Sequence, residues 1–401
     1  MSRRLAVLIT GLVAASMVLA ACAPAAAQPD ACKSDAFGCA VIKKGQTIKI
    51  GMGAPMTGDN AAFGQDISQG AKIAMTDGGQ LDGFSFELDA QDDGGTGEGG
   101  AAVANKFITD PTVVAIEGHI FSGATQSAIP IYEKAGLPMM SPSATNPDLT
   151  TLGSKVFNRV VFTDAYQGTH AADYLHDTLK ITKLAVMHDG TTYGQGLAQV
   201  VYDTFKQLGG EDVAFQAITP GESDYSAVLA DIASKKPDAL FYGGYVAEAV
   251  VIVNQMKQAG LDGVIFFGDD GTFGADFLDR TGANGEGAYS TSLAPSASDA
   301  KSKFDAAYLA AYGVEAGKLS PYSWTAYDAG AVLISAIKSV AIMGSDGNLY
   351  IPRGALIAAV RGTKNYQGLS GVITCGDTGE CASSNPNFMV DKGGKWVTPG
   401  Q

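Results

Sequence analysis

The chain has 401 residues, enough for two ordinary domains with large cores. Its 41 acidic residues against 27 basic ones give a formal charge of −14. That balance argues against nucleic acid and against a polybasic membrane footprint, both of which need clustered cations.

In chain order, Arg3 and Arg4 precede a mostly apolar run, 5–18, and then Leu19-Ala20-Ala21-Cys22. A basic start, a short apolar stretch and small residues behind it make a secretory leader rather than a permanent membrane span. The tetrapeptide resembles the bacterial lipobox, whose cysteine is acylated. Residues 1–21 are therefore expected to be a lipoprotein signal peptide, with Cys22 the lipidated first residue of an extracytoplasmic protein, in the periplasm or on the outer face of the cytoplasmic membrane. Cleavage near 25–27 with loss of Cys22 is the alternative. Residues 22–45 lean on Ala, Pro, Lys and small polar residues, the composition of a flexible tether. Because the chain is acidic, membrane attachment would run through the lipid alone.

Four further cysteines fall as two close pairs. In an oxidising compartment Cys32 with Cys39, and Cys375 with Cys381 across a stretch holding two glycines, read as local disulfides. No Cys-x-x-Cys occurs and the four histidines are scattered, so no metal is expected.

The globular part begins at Gln46. Strands are predicted at 47–52, 84–88, 113–116, 137–140, 184–188, 213–218, 239–242 and 264–267, on short apolar or alternating runs. Helical spacing occupies 63–76, 100–109, 125–135, 168–180, 195–208, 225–235 and 246–259. Glycine stops such as Gly136 and Gly260 follow two of these helices. Regular alternation of strand and helix predicts an α/β fold whose parallel sheets are covered on both faces. A Gly-, Ala- and Ser-rich break at 282–298 precedes helices at 301–312 and 322–342 and a strand-like end from Gly371. This tail is too short for a complete domain, so it should complete the earlier sheets.

Ligands of open parallel sheets sit outside the carboxyl ends of the strands, which draws attention to the residues just past each one. Ser122 and Thr145 stand in turns after consecutive strands and near helix starts, where hydroxyls and free amides can meet an anion. Each alone could simply cap its helix. Asp269-Asp270-Gly271 places carboxylates after the 264–267 strand, with an Asx turn as the plainer explanation for one of them. Tyr193 and Tyr245 follow two other strand ends and suit pocket walls, with core packing as the alternative.

Other motifs carry less. A formal G-x-G-x-x-G from Gly95 to Gly100 is flanked by Asp92, Asp93 and Glu98, which would repel a pyrophosphate, so no nucleotide cofactor is expected. Neither H-E-x-x-H, G-x-S-x-G nor a P-loop occurs. His119 and His188 lie near strand ends, but no Ser or Cys partner can be assigned to them.

Taken in order, G-A-P-M-T-G-D-N-A-A-F-G from Gly53, G-H-I-F-S-G-A-T-Q from Gly118, S-P-S-A-T-N-P-D-L-T from Ser141, H-D-G-T-T-Y-G-Q-G-L-A from His188 and F-Y-G-G-Y-V-A-E from Phe241 resemble the branched-chain amino acid binding proteins of bacterial ABC importers. The resemblance runs from about Thr47 to Trp396. It implies the type I periplasmic-binding-protein fold: two lobes, each a parallel sheet flanked by helices, joined by three hinge crossings. Lobe 1 would comprise 46–163 plus 294–368, and lobe 2 164–293 plus 369–398.

It also implies roles. Ser122 and Thr145 would hold an α-carboxylate, with the backbone at Ser143 shared between carboxylate and ammonium. Asp270 falls where the family usually carries a Glu for the α-ammonium, Tyr193 and Tyr245 match cleft tyrosines, and Ile120, Phe121 and Phe63 match side-chain pocket positions. Three departures stand out. Asp270 is one methylene shorter than Glu, Phe63 replaces a frequent Tyr, and the disulfide near the first lobe's site is absent. The implied function is capture of an amino acid, branched-chain or otherwise aliphatic, and its delivery to an ABC importer permease, without catalysis. An amide, urea or aromatic carboxylate as ligand, an amino acid sensor, and a secreted α/β hydrolase are the alternatives.

Overall fold

The computed structural model describes residues 28–293, 295–381 and 385–400. The leader and the lipidation candidate Cys22 lie outside the described residues.

A six-stranded sheet forms the first lobe. Its order is Gln80–Leu81, Phe84–Asp92, Ile48–Ala54, Val113–Glu117, Met139–Ser141 and Phe157–Arg159. All neighbours run parallel except the short antiparallel edge at Gln80–Leu81. Strand Val113–Glu117 is buried along its whole length, as a parallel strand with helices on both faces must be. Helices Ala61–Gly78, Gly97–Phe107, Ser122–Ala135 and Ser323–Val340 belong to this lobe. Ala61–Gly78 and Ser323–Val340 pack so closely that a Cβ at Gly70 would stand 2.4 Å from the carbonyl oxygen of Ser323, so the crossing needs glycine there.

A seven-stranded sheet forms the second lobe, ordered Trp396–Val397, Asn387–Asp391, Tyr289–Ser292, Ile265–Gly268, Ala239–Gly243, Lys183–His188 and Glu211–Ala217. Its five inner and C-terminal-edge strands from Tyr289–Ser292 to Glu211–Ala217 are parallel, and the tail adds two antiparallel strands. Tyr289–Ser292, inside the break at 282–298, is a strand that the sequence pattern did not suggest. Its Tyr-Ser-Thr-Ser run lacks the apolar signal because its three hydroxyl residues are buried, Ser290 and Thr291 against polar partners: Ser290 Oγ donates to the Asp269 carbonyl at 2.7 Å and Thr291 Oγ1 to Gln167 Oε1.

The chain passes between the sheets after Phe157–Arg159, after Tyr289–Ser292 and again between Cys381 and Asn387. Both disulfides, Cys32–Cys39 and Cys375–Cys381, are formed. Two segments differ from expectation. Residues from Asp30 on are not tether: Asp30–Ser34 is a helical turn and Cys39–Ile42 pairs antiparallel with Leu349–Pro352. The Asp35 carboxylate accepts from the amides of Gly354 (3.0 Å) and Ala355 (3.1 Å), capping helix Arg353–Arg361. The small polar composition misled because a disulfide and strand pairing, rather than an apolar face, hold this stretch down.

The second difference is at 369–381, assigned to lobe 2 from sequence. Ile373, Cys375 and Cys381 are buried in the first lobe's core with Ile50 and Leu333. The disulfide turn docks on the first sheet's edge, where Cys381 N donates to Arg159 O at 3.0 Å and Arg159 N to Gly379 O at 3.0 Å. Among the described residues no helix is long and apolar enough to cross a membrane.

Candidate functional site

The carboxyl ends of both sheets face one another across a cleft. On the first lobe, Phe121 caps helix Ser122–Ala135 in extended conformation and Ser122 opens its first turn, where amides have no intrahelical acceptor. Ser122 Oγ accepts from Asn146 N at 3.3 Å, leaving its own proton to donate. Ser143 Oγ donates to Ile120 O and Ser141 Oγ to His119 O, both at 2.8 Å. These two bonds tie the loops after consecutive strands into one rigid rim. Ile120, Ser122 and Ser143 line the cavity between the lobes.

Thr145 does not line it. Its buried Oγ1 makes no hydrogen bond of normal geometry and has the Asp164 carboxyl as its neighbour. Below the same loop lies Arg159, fully buried. It donates through Nη1 to Ala144 O (3.0 Å) and Asn146 O (2.7 Å), and through Nε and Nη2 to Glu380 (2.9 and 2.5 Å). The guanidinium thereby fixes the loop that carries Ser143 and Thr145.

On the second lobe, Asp270 begins a short 3-10 turn just past strand Ile265–Gly268. Its Oδ1 accepts from Gln167 Nε2 at 2.6 Å and Tyr193 OH at 2.5 Å, and its Oδ2 accepts from Tyr322 OH. Gly271 N donates to Tyr193 OH at 3.1 Å. Burial pushes the Asp270 carboxyl up to about 6, against the lowering effect of Tyr193 and Gln167. Asp269 and Asp164 are fully buried nearby and lie well above the usual carboxylate range, through burial first and the Asp270 charge second. Burial and the carboxylates Asp269, Asp270 and Asp164 likewise raise the Tyr193 phenol.

Aromatic rings close the space. Phe121 from lobe 1 stacks on Tyr245 from lobe 2 with centroids 3.9 Å apart and planes 9° apart. Phe63 meets Phe121 edge-on at 5.7 Å, and Tyr193 lies 5.2 Å from Tyr245. About 250 Å³ of space remains between the atoms, broken up by the rings. A solute therefore enters only when the lobes part or the rings turn. A separate groove, between Val253–Lys257 and Ala283–Ala288, contains none of these residues.

The two histidines are occupied elsewhere. The His119 ring is buried between Asp93 Oδ2 (2.7 Å from Nδ1) and Tyr132 OH (2.9 Å from Nε2), and a Cβ at Gly53 would stand 2.1 Å from it. One tautomer satisfies both contacts, Nδ1–H donating to Asp93 and Nε2 accepting from Tyr132. His188 Nδ1 accepts from Gly190 N at 3.1 Å, and burial holds its pKa below the ordinary value.

Eight of the nine expected ligand residues line the one cavity: Phe63, Ile120, Phe121, Ser122, Ser143, Tyr193, Tyr245 and Asp270. Sequence reasoning missed Tyr322 and Gln167. Tyr322 arrives from a helix start, not from a strand end. It is set in place by the buried Asp66, which accepts from Ser323 Oγ (2.5 Å) and Ser320 Oγ (2.6 Å) on either side of it. Gln167 sits one turn into the helix that follows the first crossing; its spacing from Asp164 was the available signal.

The periplasmic binding protein family profile matches residues 47–391. The chain belongs to that family. As a periplasmic binding protein it is similar along 88% of its length to two solved structures at 28% identity. One is a leucine binding protein, LivK, from Thermotoga maritima, of which 99% is covered, with a TM-score of 0.78. The other is the branched-chain amino acid transporter substrate binding protein LivJ from Streptococcus pneumoniae in complex with isoleucine, 98% covered, also with a TM-score of 0.78. An amino acid binding protein of Pseudomonas aeruginosa is 35% identical over 227 residues, 56% of this chain. That match spans 60% of the relative's own length. The two-lobed, parallel-rich architecture of this periplasmic binding protein is that of the LivK and LivJ structures.

Proposed function

We propose that the protein captures an amino acid, branched-chain or otherwise aliphatic, in the interlobe cleft and delivers it to an ABC importer, held to the membrane by lipid on Cys22. The observation that carries this reading is the opposition, across one aromatic-walled cavity, of the Ser122 and Ser143 rim to the buried carboxylate of Asp270. A zwitterion needs that polarity: donors for its carboxylate and an acid for its ammonium. Ser122 and the first-turn amides of its helix supply the first, Asp270 the second, and Ile120, Phe63 and Phe121 the apolar contact. Thr145 acts from behind the rim, through Asp164 and the Arg159-bound loop.

Hydrogen bonds to ionised groups are each worth about 1.5–3 kcal/mol, and micromolar affinity requires about −8 kcal/mol in total. A few such bonds suffice. The test is a thermal-shift screen of the full chain, purified in detergent, against the twenty amino acids. Ligand at a hundred times Kd should add about 2.7 kcal/mol of stability. No shift with any amino acid would refute the reading.

A further inference from the structure

The Asp270 carboxylate is already heavily engaged. A carboxylate offers about four lone-pair sites, and Gln167 Nε2, Tyr193 OH and Tyr322 OH take three of them. A primary ammonium carries three N–H donors, so Asp270 can accept directly from about one. The cavity lining holds no lysine, arginine or histidine. What it does hold is rings: Phe63, Phe121, Tyr193, Tyr245 and Tyr322 line the same cavity as the carboxylate. Ring faces attract a cation whether or not it carries N–H groups, and aromatic cages are suited to methylated ammonium.

Resting on the reading of this cleft as an ammonium carboxylate site, we propose that it selects compact N-methylated amino acids of the betaine type over their unmethylated parents. Methylation removes N–H donors that the occupied Asp270 cannot accept and replaces them with methyl groups that lie against Phe121, Tyr245 and Phe63. The carboxylate end is unchanged, so Ser122 and its helix start serve both forms. The small space between the rings favours a short carbon skeleton.

Isothermal titration of the full chain in detergent at pH 7.5 tests this with two matched pairs, glycine against glycine betaine and L-proline against proline betaine, with L-leucine alongside. Each betaine should bind at least tenfold more tightly than its parent, and Tyr245→Leu should narrow that ratio to threefold or less. Parents that bind as tightly as the betaines, or more tightly, would overturn the preference. If L-leucine then binds, the amino acid reading stands without it, Tyr322 having turned aside to free Asp270. If none of the five compounds binds, both fall. Should Tyr245→Leu fail to fold, the same narrowing is expected of Phe121→Leu.

Discussion

Glu117 ends the strand that leads into the loop at 118–121, and its side chain is buried with both carboxyl oxygens lacking a hydrogen-bond partner. It reaches the interior between the two long helices: a Cβ at Gly330 would stand 2.8 Å from Oε2, beside Ala74 and Met75. Burial alone raises its pKa well above the ordinary value near 4.5. The neutral acid without a partner costs about 1–3 kcal/mol on the scale of mutational data. Linkage adds to that cost. A group whose folded pKa is raised contributes its stability fully below the unfolded pKa and loses it as pH rises toward the folded one, by about 1.4 kcal/mol per unit. Glu117→Met, similar in volume and apolar, should therefore stabilise the chain, and by an amount that grows from pH 4.5 upward. Glu117→Gln, still polar, should reproduce the pH dependence but not the whole gain. Urea unfolding at pH 4, 5.5 and 7, read by tryptophan fluorescence and circular dichroism, measures both. A Glu117→Met protein no more stable than wild type at pH 7, or a gain flat with pH, would refute the assignment of an unpaired, neutral carboxyl.

Asp270 titrates near 6, and an ammonium binds its ionised form. Affinity for a zwitterion should be constant above pH 7 and fall about tenfold per unit below 6, as calorimetry across that range would show; Asp270→Asn should abolish the slope and weaken binding. Arg159→Ala removes a buried cation from the partly exposed Glu380, which keeps Thr150 Oγ1 as a donor, and takes from the Ala144 and Asn146 carbonyls the guanidinium donors that hold their loop. It should cost about 1–3 kcal/mol, seen as a fall in melting temperature, while an unchanged melting temperature would mean that the loop at 144–146 is held by other means.

Much of this architecture can be read from periodicity. The strands at 113–116 and 239–242 fall on structural strands because a parallel strand covered on both faces tends to an unbroken apolar run, and those at 47–52 and 184–188 are recognisable despite Lys49 and His188. The rule that ligands meet strand ends then recovers Ser122, Tyr193, Tyr245 and Asp270 without any coordinates. It fails where the chain reaches the cleft by another route. Tyr322 comes from the start of a helix, and its position depends on Asp66, more than 250 residues earlier in the chain. Tyr289–Ser292 is buried through hydroxyls, so its composition resembles a loop. The segment at 30–42 owes its order to Cys32–Cys39 and to pairing with Leu349–Pro352, contacts too distant for local pattern to reveal.

The same distribution of contacts bears on closure. Among the described residues, polar links between the lobes away from the crossings are few: Tyr322 to Asp270, Asn146 Nδ2 to Thr192 O at 2.6 Å, Thr192 Oγ1 to Gln126 Oε1 at 3.2 Å, and Ala275 N to Lys318 O at 2.9 Å. Ring contacts of Phe121 and Phe63 with Tyr245 complete the seam. A neutral hydrogen bond contributes about 0.5–1.5 kcal/mol net and an aromatic pair a similar amount, so the empty cleft gains only a few kcal/mol on closing, set against the ordering of exposed loops. A ligand that touches both rims adds contacts that exist only in the closed form, and can shift the balance by no more than that difference. Asp270 is the one acid in the cavity lining, and through the Tyr322 hydroxyl it also meets the opposite lobe. The Tyr322 hydroxyl competes there with any ammonium, and Tyr322→Phe should loosen the closed empty protein, seen as a larger radius of gyration in solution scattering, while leaving the ligand-bound radius unchanged.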